Sequence, residues 1–139
     1  MDIKGGFCLK GRKAMVTGSG QGLGKAFALA LAGAGADVSI VDINMDKAQL
    51  TASEIVLTGA KAVAIKADIS DPGESRKAVE ETIRSLGRLD IAVNNAGVSP
   101  PISDSVDITA ETWDKTMGVN LRGLFFCAQA EAKAMMPNK

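Results

Sequence analysis

The stretch AMVTGSGQGLGKAFALALA, residues 14 to 32, sets glycine at every second position from Gly18 to Gly24, between a short apolar run and a longer one. Between a buried strand and a helix, such a turn lets backbone amides and the positive helix end meet a diphosphate with no Cβ in the way. A tight strand-to-helix turn whose glycines only relieve packing is the plain alternative. G-x-G-x-x-G does not fit, because counting from Gly18 and Gly20 its last position falls on Leu23. T-G-x-x-x-G-x-G does fit, with Thr17, Gly18, Gly22 and Gly24, and it encloses Ser19, Gly20, Gln21 and Leu23.

Few groups remain for acid–base work. The chain has no histidine and no tyrosine, which removes Ser-His-Asp chemistry, histidine metal sites and any phenolic proton donor. Cys8 and Cys127 are too few and too far apart in sequence for a disulfide framework or a zinc knuckle. Both read as ordinary thiols, and no metal site is assigned.

The elements that must position these residues show as an alternation. Four apolar or β-branched runs, KAMVTG, ADVSIVD, KAVAIKAD and LDIAVNNAG, alternate with segments of helical apolar spacing. Helices are predicted over residues 23–34, 45–57 and 74–86, each ending near a glycine, at 35, 59 or 87. This order implies an α/β fold with a parallel sheet and right-handed crossovers. Polar-poor strand middles imply helices on both faces. After the proline-containing loop VSPPISDSVD, a long helical pattern runs from about Thr109 to Met136. Its stripe of Trp113, Met117, Leu121, Leu124 and Ala128 predicts one buried apolar face, and Gly118 is a place for a bend. With no repeat, low-complexity tract or linker, residues 1–139 read as one domain.

Of the 139 residues, 46% are hydrophobic, enough for one core. Lysine plus arginine equals aspartate plus glutamate at 16 each, so no overall field favours nucleic acid or an anionic membrane. The N-terminal MDIKGGFCLKGRK has no apolar core before its charges, and the run from Ala26 to Ala36 is too short to span a bilayer. A cytoplasmic protein without nucleic-acid or membrane partners is expected.

With its T-G-x-x-x-G-x-G turn, the sequence resembles the short-chain dehydrogenase/reductase family, and further motifs agree in order and spacing from Arg12 to Met136. Asp42 closes SIVDIN eighteen positions beyond Gly24, near the distance at which an acidic side chain accepts hydrogen bonds from the adenosine ribose. A carboxylate there would repel a 2'-phosphate, and neither Ser19 nor Ile43 offers a positive charge to bind one, so NAD is favoured over NADP. As an alternative, Asp42 would be a helix N-cap or a solvated strand end. Asp68 and Ile69, in KADIS, stand where the family places its adenine contact, although Asp68, Ser70 and Asp71 could equally cap the next helix. NNAG, Asn94 to Gly97, matches the signature in which the asparagines steady the central sheet while the backbone of Asn95, Ala96 and Gly97 faces the nucleotide. Asn120, in MGVNLRG, matches the asparagine that holds a water in the family's proton relay; a solvated asparagine is the bland reading.

The resemblance implies a Rossmann-like doubly wound sheet, here with four strands in the order 3-2-1-4. It also implies NAD-dependent oxidation of a small alcohol, polyol or sugar, or reduction of the ketone, with 3-oxoacyl thioesters as the other substrate class. The family's Tyr-x-x-x-Lys pair and its serine have no counterpart here, so an N-terminal part of a longer enzyme is expected, inactive alone. A nucleotide-binding module without chemistry is the alternative. The fourth strand would be an apolar edge, and the long helix's apolar face implies a homo-oligomer.

Overall fold

The computed structural model describes residues 7–138. The first six residues, part of the segment read as lacking an apolar leader, lie outside the described residues, as does Lys139.

Strands β1 (Lys13–Thr17), β2 (Asp37–Asp42), β3 (Ala62–Lys66) and β4 (Ile91–Val93) form one parallel sheet in the order β3-β2-β1-β4, as expected. Thr17 lies beside Val41, and Val16 beside Val93, so the carboxyl ends of β1, β2 and β4 open onto the same rim. That rim, at the point where the strand order reverses, is where open α/β sheets bind ligands.

Alternate residues of β1 face opposite sides. Ala14 and Val16 join Ala28, Ala32, Val38, Ile40, Ala48 and Ile55 in a core under α1 (Gly22–Gly33) and α2 (Met45–Leu57). Met15 joins Val41, Ile65, Ala78, Val79, Leu89 and Cys127 on the other face. Here α3 (Pro72–Leu86) covers the sheet. It starts two residues before the predicted Glu74 because Pro72 suits the first turn and Asp71 accepts from the Gly73 and Glu74 amides.

The long helical pattern forms α4 (Ala110–Met117), a wide π turn (Gly118–Gly123) and α5 (Leu124–Met135). Its buried face is not the predicted one. Trp113 and Leu121 are 57% and 59% exposed, and Met117, Leu124 and Ala128 are only partly covered. The residues that face inward are Gly123, Cys127 and Glu131, spaced four apart. Contact with the β3–α3 loop explains the choice: a Cβ at Gly123 would lie 2.6 Å from the Ile69 carbonyl oxygen, so only the small-residue face can approach. The large apolar side chains are left on the outside.

Candidate functional site

The glycine turn joins β1 to α1, and its glycines answer to different demands. Gly18 has φ +62°, and a Cβ on it would lie 2.7 Å from the Cα of Ala96. A Cβ on Gly24 would strike the Gly18 carbonyl oxygen and come within 2.5 Å of Asn95 Nδ2. A Cβ on Gly20 would press on Lys47 and Asp42. At these three the close approach of neighbouring atoms leaves no room for a side chain. Gly22 differs: it has φ +57°, and a Cβ there would meet nothing within 4 Å. It faces open space above the start of α1.

Ser19 does not face that space. It is fully buried, its hydroxyl donates to the Val16 carbonyl at 2.6 Å and its amide donates to the Val41 carbonyl at 3.2 Å. Its side chain anchors the turn from beneath, a use that a short hydroxyl fills by bonding nearby backbone.

The start of α1 also differs electrically from the starts of α2, α3 and α4. Helix α2 is capped by Asn44 and has Asp46 in its first turn; α3 has Asp71 and Glu74; α4 has Thr109 and Glu111. Helix α1 has Gln21 at the cap position with no side-chain hydrogen bond, and no acidic residue in its first turn. Its amides and its positive end are left uncompensated.

Asp42 extends from the end of β2 towards the turn. Its Oδ2 accepts from the Gly20 amide at 2.8 Å and its Oδ1 from the Asn44 amide at 2.9 Å. It does not cap α2, because Asn44 does, by accepting from the Lys47 amide. Each carboxylate oxygen has a further lone pair beyond these bonds. Asp68 likewise does not cap α3: its Oδ1 accepts from the Ser70 amide at 2.9 Å, and the cap is Asp71.

The NNAG segment leaves the sheet at Val93 and is then held by side chains. Asn95 Nδ2 donates to the Thr17 and Gly18 carbonyls, and the Thr17 hydroxyl accepts from the amides of Asn95 and Ala96 at 3.1 Å each. This Thr17 hydroxyl, named in the motif but not as a site residue, sets the approach of Ala96 to Gly18. Asn94 turns the other way, donating from Nδ2 to Glu131 Oε2 at 2.6 Å. Asn120 sits in the π turn, where its Oδ1 accepts from the Val98 amide and its Nδ2 donates to the Val98 carbonyl, both at 2.8 Å. Wide turns of this kind often mark functional positions. Burial and the neighbouring Glu131 push the Cys127 thiol up to about 12, which keeps it protonated and inert, as an ordinary thiol should be.

These elements border a cleft of about 350 Å³. It brings together Gly18, Gln21, Gly22, Leu23 and Gly24 from the turn with Asp42 and Ile43 at and just beyond the end of β2. Asp68, Ile69, Asn95, Ala96 and Gly97 complete its lining. Of the expected residues, Ser19, Gly20 and Asn120 are outside its lining. Val41, Ala67, Val98 and Val119 also line it, from the β2 end, the segment after β3, the loop after NNAG and the π turn; an apolar residue in such a place carries no distinguishing sequence signal. Mixed apolar walls with a few placed polar groups are what a flat heteroaromatic ring with a sugar and phosphates requires.

Comparison with known proteins bears on this geometry. A family model described as short chain dehydrogenase matches residues 12–139. The chain is 37% identical over 123 residues to a cyclohexanol dehydrogenase of Acinetobacter sp. (strain SE19), covering 88% of this chain and 49% of that protein. It is 41% identical over 128 residues to a sorbitol dehydrogenase of Cereibacter sphaeroides, covering 92% and 48%. Among solved structures, a short-chain type dehydrogenase/reductase from Mycobacterium marinum superposes with a TM-score of 0.92 at 36% identity, over 99% of this chain and 56% of that one. The chain thus spans about half the length of the curated relatives it matches.

Proposed function

Because the chain belongs to the short-chain dehydrogenase family, we propose that its cleft binds NAD and that the whole protein moves hydride between NAD and the CH–OH carbon of a small alcohol, polyol or sugar. The observation that carries this reading is the start of α1: uncapped, free of acidic residues, and fronted by a Gly22 whose missing Cβ leaves open space. A diphosphate would take up both the free amides and the positive helix end. Asp42, oriented by two backbone amides, would accept from the ribose hydroxyls and exclude a 2'-phosphate, favouring NAD over NADP. Asp68 and Ile69 would border the adenine.

Bound NAD supplies the hydride acceptor. The chain's own residues bind and orient it, and Asn120 would hold a water of the proton relay. Its amide is half used by Val98, and an amide has two donor and two acceptor positions, so one of each is left for that water. The serine and the Tyr-x-x-x-Lys pair that exchange the hydroxyl proton are assigned to sequence beyond Lys139, and the 139-residue chain alone is assigned dinucleotide binding without turnover. The reading also places the protein in the cytoplasm as a homo-oligomer, with the exposed face of α4 and α5 against a second copy.

Titration with NADH, followed by its fluorescence, tests the binding. The unmodified chain is expected to bind, and Gly22→Val to weaken binding by about a hundredfold or more, because a branched side chain would stand in the diphosphate's space. Asp42→Ala is expected to lose about tenfold in NADH affinity, the worth of a charge-assisted hydrogen bond, and to narrow the preference over NADPH. Equal affinity of the unmodified chain and Gly22→Val would remove the turn from the site.

A further inference from the structure

We infer that Glu131 is a positioning residue for the dinucleotide cleft, fixing through Asn94 the strand end on which the glycine turn depends. The inference rests on the proposed reading of the cleft and adds to it a residue far from the cleft in sequence and absent from its lining.

Among the described residues, strand β4 pairs only with β1, through Ile91, Ala92 and Val93. Beyond Val93 no sheet ladder sets the path of Asn94 to Gly97. Successive side chains there point to opposite sides. Asn95 goes to the glycine turn, and Asn94 goes to α5, where Glu131 accepts from it at 2.6 Å. The strand end is therefore held between two bonds of opposite direction.

Little slack remains on the turn side. Ala96 both packs against Gly18, where a Cβ would come within 2.7 Å of its Cα, and lines the cleft, so any shift of the strand end alters the cleft. A bond from α5 is suited to prevent that shift. Glu131 is 2% exposed, an expensive place for a carboxylate unless it is hydrogen-bonded. Asn94 supplies the short bond, with a longer contact of 3.5 Å from the Cys127 thiol on the other oxygen. Asn94 Oδ1 is buried with no partner among the described residues, so the contact with Glu131 is what orients the amide. The helical run that carries Glu131 also carries Asn120, which grips Val98 in both directions. One run thus braces both ends of the NNAGV segment.

The test compares NADH affinity with thermal stability in the unmodified chain, in four single variants and in one double variant. Glu131→Leu removes the acceptor and is expected to weaken NADH about tenfold, the loss of one charge-assisted bond. Glu131→Gln keeps an acceptor for Asn94 Nδ2 and is expected to stay within about threefold of the unmodified chain. Val79→Ala trims the core on the same side of the sheet without removing a bond to Glu131 or Asn94, so it should lower the melting temperature and leave NADH affinity unchanged. Asn94→Ala should match Glu131→Leu, and combining the two should add nothing further. Should Glu131→Leu fail to fold, Asn94→Ala reads the same link from the strand. Unchanged affinity in Asn94→Ala, affinity losses that add in the double variant, or a Glu131→Gln variant as weak as Glu131→Leu would overturn the inference while the unmodified chain still binds NADH. No NADH binding by the unmodified chain would overturn the cleft reading, and this inference with it.

Discussion

The glycine turn and the long C-terminal helical run are both rich in small and apolar residues, yet they relate to the rest of the chain in opposite ways. In the turn, Gly18 packs against Ala96, Gly24 against Gly18 and Asn95, and Gly20 against Asp42 and Lys47, with Ser19 buried beneath, while Gly22 alone faces open space. Along α4 and α5 the large side chains Trp113, Leu121 and Phe125 are more than half exposed. Burial in the first region is demanded by the backbone; burial in the second needs a surface that these residues do not find among the described residues. Spacing alone does not separate the two cases.

The largest expected effect lies in the turn. Gly24→Ala would put a methyl group under 3.0 Å from the Gly18 carbonyl, a backbone atom that cannot swing away. Overpacking typically costs about 1–3 kcal/mol, and against rigid backbone the upper end, about 3 kcal/mol, is expected. Urea unfolding measures it. A loss below about 0.5 kcal/mol would mean that the turn is loose and would erase the contrast with the helix.

This difference also explains what could be read beforehand. Helix α2 has the predicted bounds, Met45–Leu57, because Asn44 and Thr58–Gly59 punctuate it locally. The strand order follows from the alternation, and most of the cleft from motifs that each describe a backbone requirement. The Ser19 side chain turns inward, which its place in the motif could not show, because position within a motif says nothing about which way a side chain points. The buried face of α5 was misread because apolar periodicity reports which residues could be buried together, and the Ile69 carbonyl beside Gly123 decides which are. Glu131 escaped notice for the same reason. Its signal was present, since it stands four residues after Cys127, but it counts only once Cys127 is known to face inward.

A middle-sized effect sharpens the picture at the far end of β1, where Asp90 holds the first amide of the strand. Its carboxylate is 6% exposed and accepts from the Lys13 amide at 2.9 Å, with Arg12 and Arg88 beside it. Burial alone would raise its pKa, but the Lys13 amide and the two guanidiniums outweigh it and hold the carboxyl below its usual 3.8. A lowered folded-state value means the contribution is present above the usual value and lost as pH falls through the folded one. The arginines are 59% and 42% exposed, so their pairs add little. Asp90→Asn is expected to cost about 1–2 kcal/mol near neutral pH, from the charge-assisted amide bond. The gap between variant and unmodified chain should be constant from neutral pH down to mild acid and shrink below about 3.8. A gap that widened in acid would refute the sign.

The smallest effect tests the other side of the comparison. Trp113 is 57% exposed, and none of its neighbours on the stripe is fully buried, so the folded chain gains little by having an indole there. Trp113→Ser should change the unfolding free energy of the dilute chain by no more than about 0.5 kcal/mol, as surface substitutions do, whereas a tryptophan in the core would cost about 3–5 kcal/mol on truncation. Concentration separates the remaining possibilities. If α4 and α5 meet a second copy, the unmodified chain gains stability as concentration rises, because association favours the folded state by mass action, and the variant gains less. Sedimentation across a dilution series, read beside unfolding at each concentration, tests both. A cost of several kcal/mol that is the same at every dilution would show that the indole is packed within its own chain, and the two regions would then differ only in degree.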